Sequence, residues 1–253
     1  MNSKAKKKIK IIDLSTPFDF SWSVPHPPMC NAFHDMHFIY TRPRDGYYET
    51  AITLTTHSGT HLDAPMHRFN RDEKDGIYYL EDWPLDNYYG ETVCLEMPKG
   101  ELEPIGAKDF EKASKEIEIK EDDIVLVHTG WGKYMEKEPR NNLYLFLKRP
   151  GLEVDGVEWL LKRKVKAYGQ DTIGTQHPKY QFPQCEKEWL TGAPYNLEPV
   201  HDLALSNDLM FIEHLTNLDK VAGKRFTGSF FPLPIKGVDG SPIRAIAIIE
   251  EEE

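Results

Sequence analysis

Hydrophobic and polar positions first alternate over Lys8-Ile9-Lys10-Ile11-Ile12-Asp13-Leu14, a period of two that predicts a strand. Serine and proline then interrupt the pattern. Residues 15–44, with Pro17, Pro25, Pro27, Pro28 and Pro43 among many aromatics, read as a long loop stiff enough to wall a pocket. β-Branched residues dominate 51–56, a second predicted strand, and 91–97 is a third. Phe110, Ala113 and Ile117 fall on one face of a helix expected over 107–117. Residues 123–127 read as a short buried strand. Asp155 is placed to cap a helix that carries Val157, Leu160, Leu161 and Val165 on one stripe and runs to Lys166. Further strands are expected at 167–169, 209–212 and 244–249. Strands interleaved with helices indicate an α/β or mixed α+β fold. No repeat or linker divides the 253 residues, which suit one large domain or two tightly merged ones.

Composition narrows the function classes. Apolar residues make up 40% and charged residues 28%, ordinary for a globular chain. No window approaches the roughly 18 consecutive apolar residues of a membrane span, so no membrane partner is expected. The basic start, residues 1–8, has no apolar stretch of signal-peptide length after it; a flexible tail and a cytoplasmic location are expected. Cys30, Cys94 and Cys185 are odd in number and far apart, which suits free thiols in a reducing compartment. A net charge of −10 argues against nucleic acid as a partner.

Candidate chemistry is concentrated in one place. Within 57–67 the chain sets His57, His61, Asp63 and His67, with Gly59, Thr60 and Pro65 between them. Imidazole and carboxylate are the ligands that suit Zn²⁺ and Mn²⁺. The segment follows a predicted strand, a rigid support for functional side chains. Gly59 is expected where the backbone passes close to an ion, and Pro65 fixes the chain direction after Asp63. Isolated histidines are mostly surface or satisfied core residues, but three with an aspartate in so short a stretch are denser than that reading provides. Downstream lie His201 and, at the end of a predicted strand, Glu213. Taken alone, His201 reads as a helix-surface residue and Glu213 as a solvated rim carboxylate.

Together these features resemble the cyclase family of metal-dependent hydrolases, which includes bacterial kynurenine formamidase, isatin hydrolase and a trans-dienelactone hydrolase. Residues 57–67 meet the family signature His-x-Gly-Thr-His-x-Asp-x-Pro-x-His at every specified position. The resemblance extends to Asp13-Leu14-Ser15, Thr129-Gly130-Trp131, Gly169-Gln170-Asp171-Thr172, the spacing of His201 and Glu213, and Asp239-Gly240-Ser241-Pro242-Ile243-Arg244-Ala245. It implies a single domain over 1–253 with a mixed β-sheet core flanked by helices, a swivelling β/β/α-like fold. It also implies a homodimer or homotetramer, with a neighbouring subunit able to contribute to the active site. By the same resemblance His57, His61 and Asp63 bind a first ion. Asp63 and Glu213 bridge to a second, which His201 completes, and His67 is the general acid/base. Members like isatin hydrolase carry glutamine where this chain has Glu213, so the implied cofactor is one or two ions of Zn²⁺ or Mn²⁺.

The reaction implied is cleavage of an amide C–N bond by metal-activated water, in a linear formamide or a cyclic amide or imide. Lactone or ester opening of the dienelactone type is an alternative within hydrolases. A metal-dependent lyase or isomerase, with His67 moving a proton and no water added, is an alternative from another class; a metal-binding protein without catalysis is a third. Trp22, His26, Phe33, His34 and Trp131 are candidates to line a substrate pocket. Asp171 is a candidate to orient a ligand histidine, and His128, His177 and His214 read as structural. Kynurenine formamidases carry a tryptophan beside proline and glycine in the early loop. Here that region reads Phe20-Ser21-Trp22-Ser23-Val24-Pro25, and Trp22 does not align cleanly with it.

Overall fold

The apolar runs at 124–127 and 210–212 lack polar alternation because both of their faces are covered, as strands between two layers require. The computed structural model describes residues 7–17, 35–40, 44, 46–137, 142–181 and 198–252. In chain order its strands are β1 (Lys7–Asp13), β2 (Asp35–Tyr40), β3 (Glu49–Thr53), β4 (His61–Asp63), β5 (Tyr89–Glu96), β6 (Pro104–Ile105), β7 (Ile124–His128), β8 (Gly151–Leu152), β9 (Ala167–Gln170), β10 (Met210–Glu213), β11 (Lys224–Ser229), β12 (Gly240–Pro242) and β13 (Ile246–Glu252). The helices are α1 (Ala107–Ala113), α2 (Gly132–Lys137), α3 (Asn142–Leu147), α4 (Val154–Lys162), α5 (Pro178–Gln181) and α6 (Pro199–Ser206).

Nine strands form one mixed sheet in the order β1-β13-β11-β5-β7-β9-β10-β4-β12. Its centre, β5-β7-β9-β10, is parallel, and the flanking pairs are antiparallel. The fold is therefore mixed α+β. Side chains of successive strand residues point to opposite faces, which splits each central strand between two apolar layers. Cys94, Ile124, Leu126, Ala167, Met210 and Ile212 enter one layer. Val93, Leu95, Val125, Val127, Tyr168 and Phe211 enter the other, where α1, α4 and α6 supply Phe110, Leu160 and Ala204.

Several boundaries differ from the sequence pattern, each for a local reason. Lys7 and Lys8 are not tail: they pair with Glu252 and Glu251 in the β1–β13 ladder. Part of the long early segment is strand, β2, which pairs with β3 in a separate hairpin. The strand before the histidine cluster thus lies outside the main sheet, and the cluster supplies its own strand, β4. α4 begins after Glu153, with Asp155 in its first turn. The Asp155 carboxylate instead accepts the Ala107 N–H at the start of α1. α4 stops at Lys162, and Lys164 turns the chain with φ +55°. No described helix is long and apolar enough to cross a membrane.

Candidate metal centre

The register of β4 on β10 assembles the site. Glu213 stands opposite His61, and Phe211 opposite Asp63. Cross-strand partners share a face, so His61, Asp63 and Glu213 emerge together while Leu62 and Ile212 enter the opposite apolar layer. A slip of one residue in β4 would turn His61 and Asp63 into that layer and away from Glu213. α6 covers the same face, its His201 ring edge-on to Phe211 with centroids 5.0 Å apart. Proline in its first turn suits the start of a helix. Arg68, just past the cluster, holds α6 through Asp202 at 2.8 Å and Glu198 at 3.2 Å. His201 and Glu213 are consequently buried, to 4% and 3% exposure, and neither is a surface residue.

The turn that carries the histidines is fixed by backbone needs. Gly59 has φ +59°, a left-handed conformation that glycine adopts without steric cost. That conformation by itself calls for glycine at this position. Its carbonyl accepts the His61 Nδ1–H at 2.8 Å, which leaves His61 Nε2 facing inward. The buried Thr60 hydroxyl accepts the Thr16 N–H at 2.7 Å and donates to the His214 carbonyl at 2.6 Å. Pro65 opens a 3-10 turn, Pro65–His67, that brings the His67 ring to 4.1 Å from that of His57.

Donor atoms converge at the spacing that ligands of one ion adopt. With bonds of about 2.0–2.2 Å, neighbouring ligands stand about 3.0–3.6 Å apart. Asp63 Oδ1 is 2.9 Å from His57 Nδ1 and 3.3 Å from His61 Nε2. Asp63 Oδ2 faces His201 Nε2 at 3.6 Å. Glu213 spans the same two sides: Oε2 is 3.6 Å from His61 Nε2 and Oε1 is 3.3 Å from His201 Nε2. Glu213 Oε1 also accepts the Thr175 N–H at 2.7 Å. Three groups of three donors result: His57 with His61 and Asp63, Asp63 with His201 and Glu213, and, toward the rim, His57 with His67 and Asp239. Asp63 belongs to the first two.

The field here favours positive charge. Burial alone would lower the pKa of His57, but hydrogen bonds to Asp239 and Asp63 raise it to about 10. Burial likewise works against charge on His201, and Asp63 and Glu213 lift it to about 10. Burial and the Asp63 charge act to raise Glu213, yet His201 and His61 bring it down to about 2. Asp63 stays well below the usual carboxylate range for the same reason, its three histidine partners outweighing its burial. Protons held by these imidazoles stand where a divalent cation would displace them, so the residues fit a metal. His67 differs from the more deeply buried candidate donors: its side chain is 30% exposed, at the open rim of the cluster.

A family model described as a cyclase matches residues 12–177. The chain belongs to the cyclase family. Among its relatives, isatin hydrolase of Roseibium aggregatum is 28% identical over 247 residues, 93% of this chain and 86% of that protein. Kynurenine formamidase of Erythrobacter litoralis is 28% identical over 202 residues, 79% of this chain and 76% of that protein. In fold, this cyclase-family chain is similar to isatin hydrolase A from Labrenzia aggregata bound to benzyl benzoate. The TM-score is 0.78 at 23% identity, with 96% and 94% of the two chains covered.

Within this cyclase-family site, the structure brings together five expected donors: His57, His61, Asp63, His201 and Glu213. His67 stands beside them. Trp131 is nearly sealed: its indole N–H donates to the Leu145 carbonyl at 3.0 Å, and it packs with Leu145, Phe146 and Ile173. Trp22, His26, Phe33 and His34 lie outside the described residues. Among the described residues, Asp171 makes no hydrogen bond to a histidine. Its carboxylate accepts N–H groups of Thr129 at 2.9 Å, Gly130 at 3.0 Å and Gly132 at 3.3 Å, fixing the turn between β7 and α2. Sequence reasoning gave Asp239 no role, although it heads a segment of the family resemblance. It accepts from His57 Nε2 at 2.9 Å.

Proposed function

We propose that this chain is a metal-dependent hydrolase that cleaves a non-peptide amide C–N bond, in a formamide or a cyclic amide. The observation that carries the reading is the convergence of three imidazoles and two carboxylates beneath a half-exposed fourth histidine. A divalent cation held by those donors would supply Lewis acidity, able to polarise a carbonyl and to lower the pKa of water toward neutrality. Zn²⁺ or Mn²⁺ suits the mixed nitrogen and oxygen set. Asp63 and Glu213, each with oxygens toward both sides of the cluster, give it room for one ion or two.

His67 moves the proton. Its Nδ1 faces Asp239 at 3.7 Å, which leaves Nε2 to take a proton from water and return it to the leaving nitrogen. An imidazole can both accept and donate a proton, which suits both halves of that exchange. Burial of the ligand side chains keeps bulk water from competing for the ion. Relatives named isatin hydrolase and kynurenine formamidase support an amide over a lactone.

The test is a substrate panel of formamides, cyclic imides including isatin, and lactones, run with Zn²⁺ or Mn²⁺ in ¹⁸O-labelled water. Elemental analysis of metal per chain accompanies it. Expected is turnover of an amide with one labelled oxygen in the product carboxylate. Product formed without label would transfer the site to lyase or isomerase chemistry.

A further inference from the structure

We infer that Asp239 is a positioning residue that serves the metal centre and the acid/base histidine through one carboxylate oxygen. Its Oδ2 is 2.9 Å from His57 Nε2 and 3.7 Å from His67 Nδ1. Its other oxygen is held in place: Oδ1 accepts the Thr56 hydroxyl at 2.8 Å. The Asp239 carbonyl accepts the Ala64 N–H at 2.8 Å, fastening the residue to the strand that carries Asp63. Gly240, its neighbour, stands opposite Asp63 in the β12–β4 ladder. A Cβ at 240 would lie 2.7 Å from His57 Cε1 and 2.8 Å from the Leu62 carbonyl. The Asp239-Gly240 pair is thus shaped around the His57 ring, with the carboxylate at its outer nitrogen and an absent side chain along its edge.

The arrangement has two consequences. A carboxylate on the distal nitrogen fixes the His57 tautomer, so that Nδ1 turns its lone pair inward beside Asp63 Oδ1, and it makes that nitrogen the better ligand. The same oxygen faces His67 Nδ1 and so leaves Nε2 for the substrate. Because two rings 4.1 Å apart share one anchor, removing the carboxylate disturbs ligand and proton carrier together. Loop stabilisation alone would require only the Thr56 and Ala64 contacts, and neither needs an oxygen aimed at two imidazoles.

The inference rests on the hydrolase reading for its catalytic half only. The test uses the full chain with Asp239→Asn, which keeps the volume and one acceptor, and Thr56→Val, a milder change that only loosens Oδ1. Three quantities are read: zinc affinity of the metal-free chain against a chromophoric chelator, kcat and KM at saturating zinc on the amide the wild type opens, and the melting temperature of the metal-free chain. Asp239→Asn is expected to weaken zinc binding about 10–100-fold, the loss usual when the partner of a ligand histidine is removed. At saturating zinc kcat stays about 10-fold or more below wild type with KM little changed. In a His67→Ala background the same change costs kcat almost nothing further, since the two act as one unit. Thr56→Val gives smaller losses in the same two readouts. Unchanged zinc affinity, a kcat fully restored by zinc, or a lowered melting temperature with binding and kcat intact would each overturn the inference. A wild type that binds zinc but opens no amide would remove the assigned reaction, while the zinc titration would still decide the metal half.

Discussion

Thr60→Val tests whether the hydroxyl inside the histidine turn, and not merely its shape, holds the site in place. Valine matches threonine in outline but has no oxygen. The change deprives the Thr16 N–H of its acceptor and removes one of two hydroxyls on the His214 carbonyl, the other being Thr16 Oγ1 at 3.0 Å. Thr60 is buried to 1% exposure, so water does not readily replace the lost partner. Leaving a buried donor unpaired costs about 1–3 kcal/mol. In a chain of this size each kcal/mol moves the melting temperature by about 2–4 °C, so a fall of roughly 2–12 °C is expected. Thr60→Ser is the control, because it keeps the hydroxyl and gives up one buried methyl worth about 0.8 kcal/mol. Calorimetry and urea unfolding of the metal-free chains measure the cost. Zinc titration reads the consequence one residue away, since His61 is carried by the same turn. Valine should weaken zinc binding and serine should not. A valine variant as stable and as zinc-competent as the serine variant would refute the reasoning.

Further outcomes follow from single residues. His67→Ala should lower kcat by about 10²–10⁴-fold while metal per chain stays unchanged, measured by steady-state kinetics and elemental analysis; loss of metal would instead make His67 a ligand. Burial depresses the pKa of His177 in the folded chain, against the opposing hydrogen bond to the Leu102 carbonyl. The unfolded chain therefore binds this proton more readily, so the contribution of His177 is full above pH ~6.5 and is lost as pH falls below it. Urea unfolding from pH 7.5 to 5.5 should be steeper in pH for wild type than for His177→Gln, by up to about 1.4 kcal/mol per unit for one proton; equal slopes would remove the effect. Burial, with the nearby Asp171 charge, pushes the Cys94 thiol up. Iodoacetamide should spare Cys94 in the native chain and label it after unfolding, as read by peptide mass mapping; native labelling would contradict a sealed core at β5.

The sequence by itself determined what is local. Runs of β-branched and apolar residues located β5, β7 and β10, because a strand covered on both faces needs no partner to betray it. Residues 57–67 set out three of the five donors and His67, since their spacing fits one tight turn. Other features depended on residues that meet only through strand pairing. β4 is three residues long, too short for any period to register, yet its register against β10 puts Glu213 beside His61 and Asp63. His201 looked like a surface residue because burial of a short helix is decided by what it packs on, here Phe211. Asp239 is 182 positions from His57, and nothing in its neighbours along the chain marks it as the partner of two imidazoles. Asp171 went the other way, its carboxylate spent on N–H groups of the Thr129–Gly132 turn. A side chain's type fixes which bonds it can make; the pairing of distant strands decides which partner is within 3 Å, and only the folded chain sets that distance.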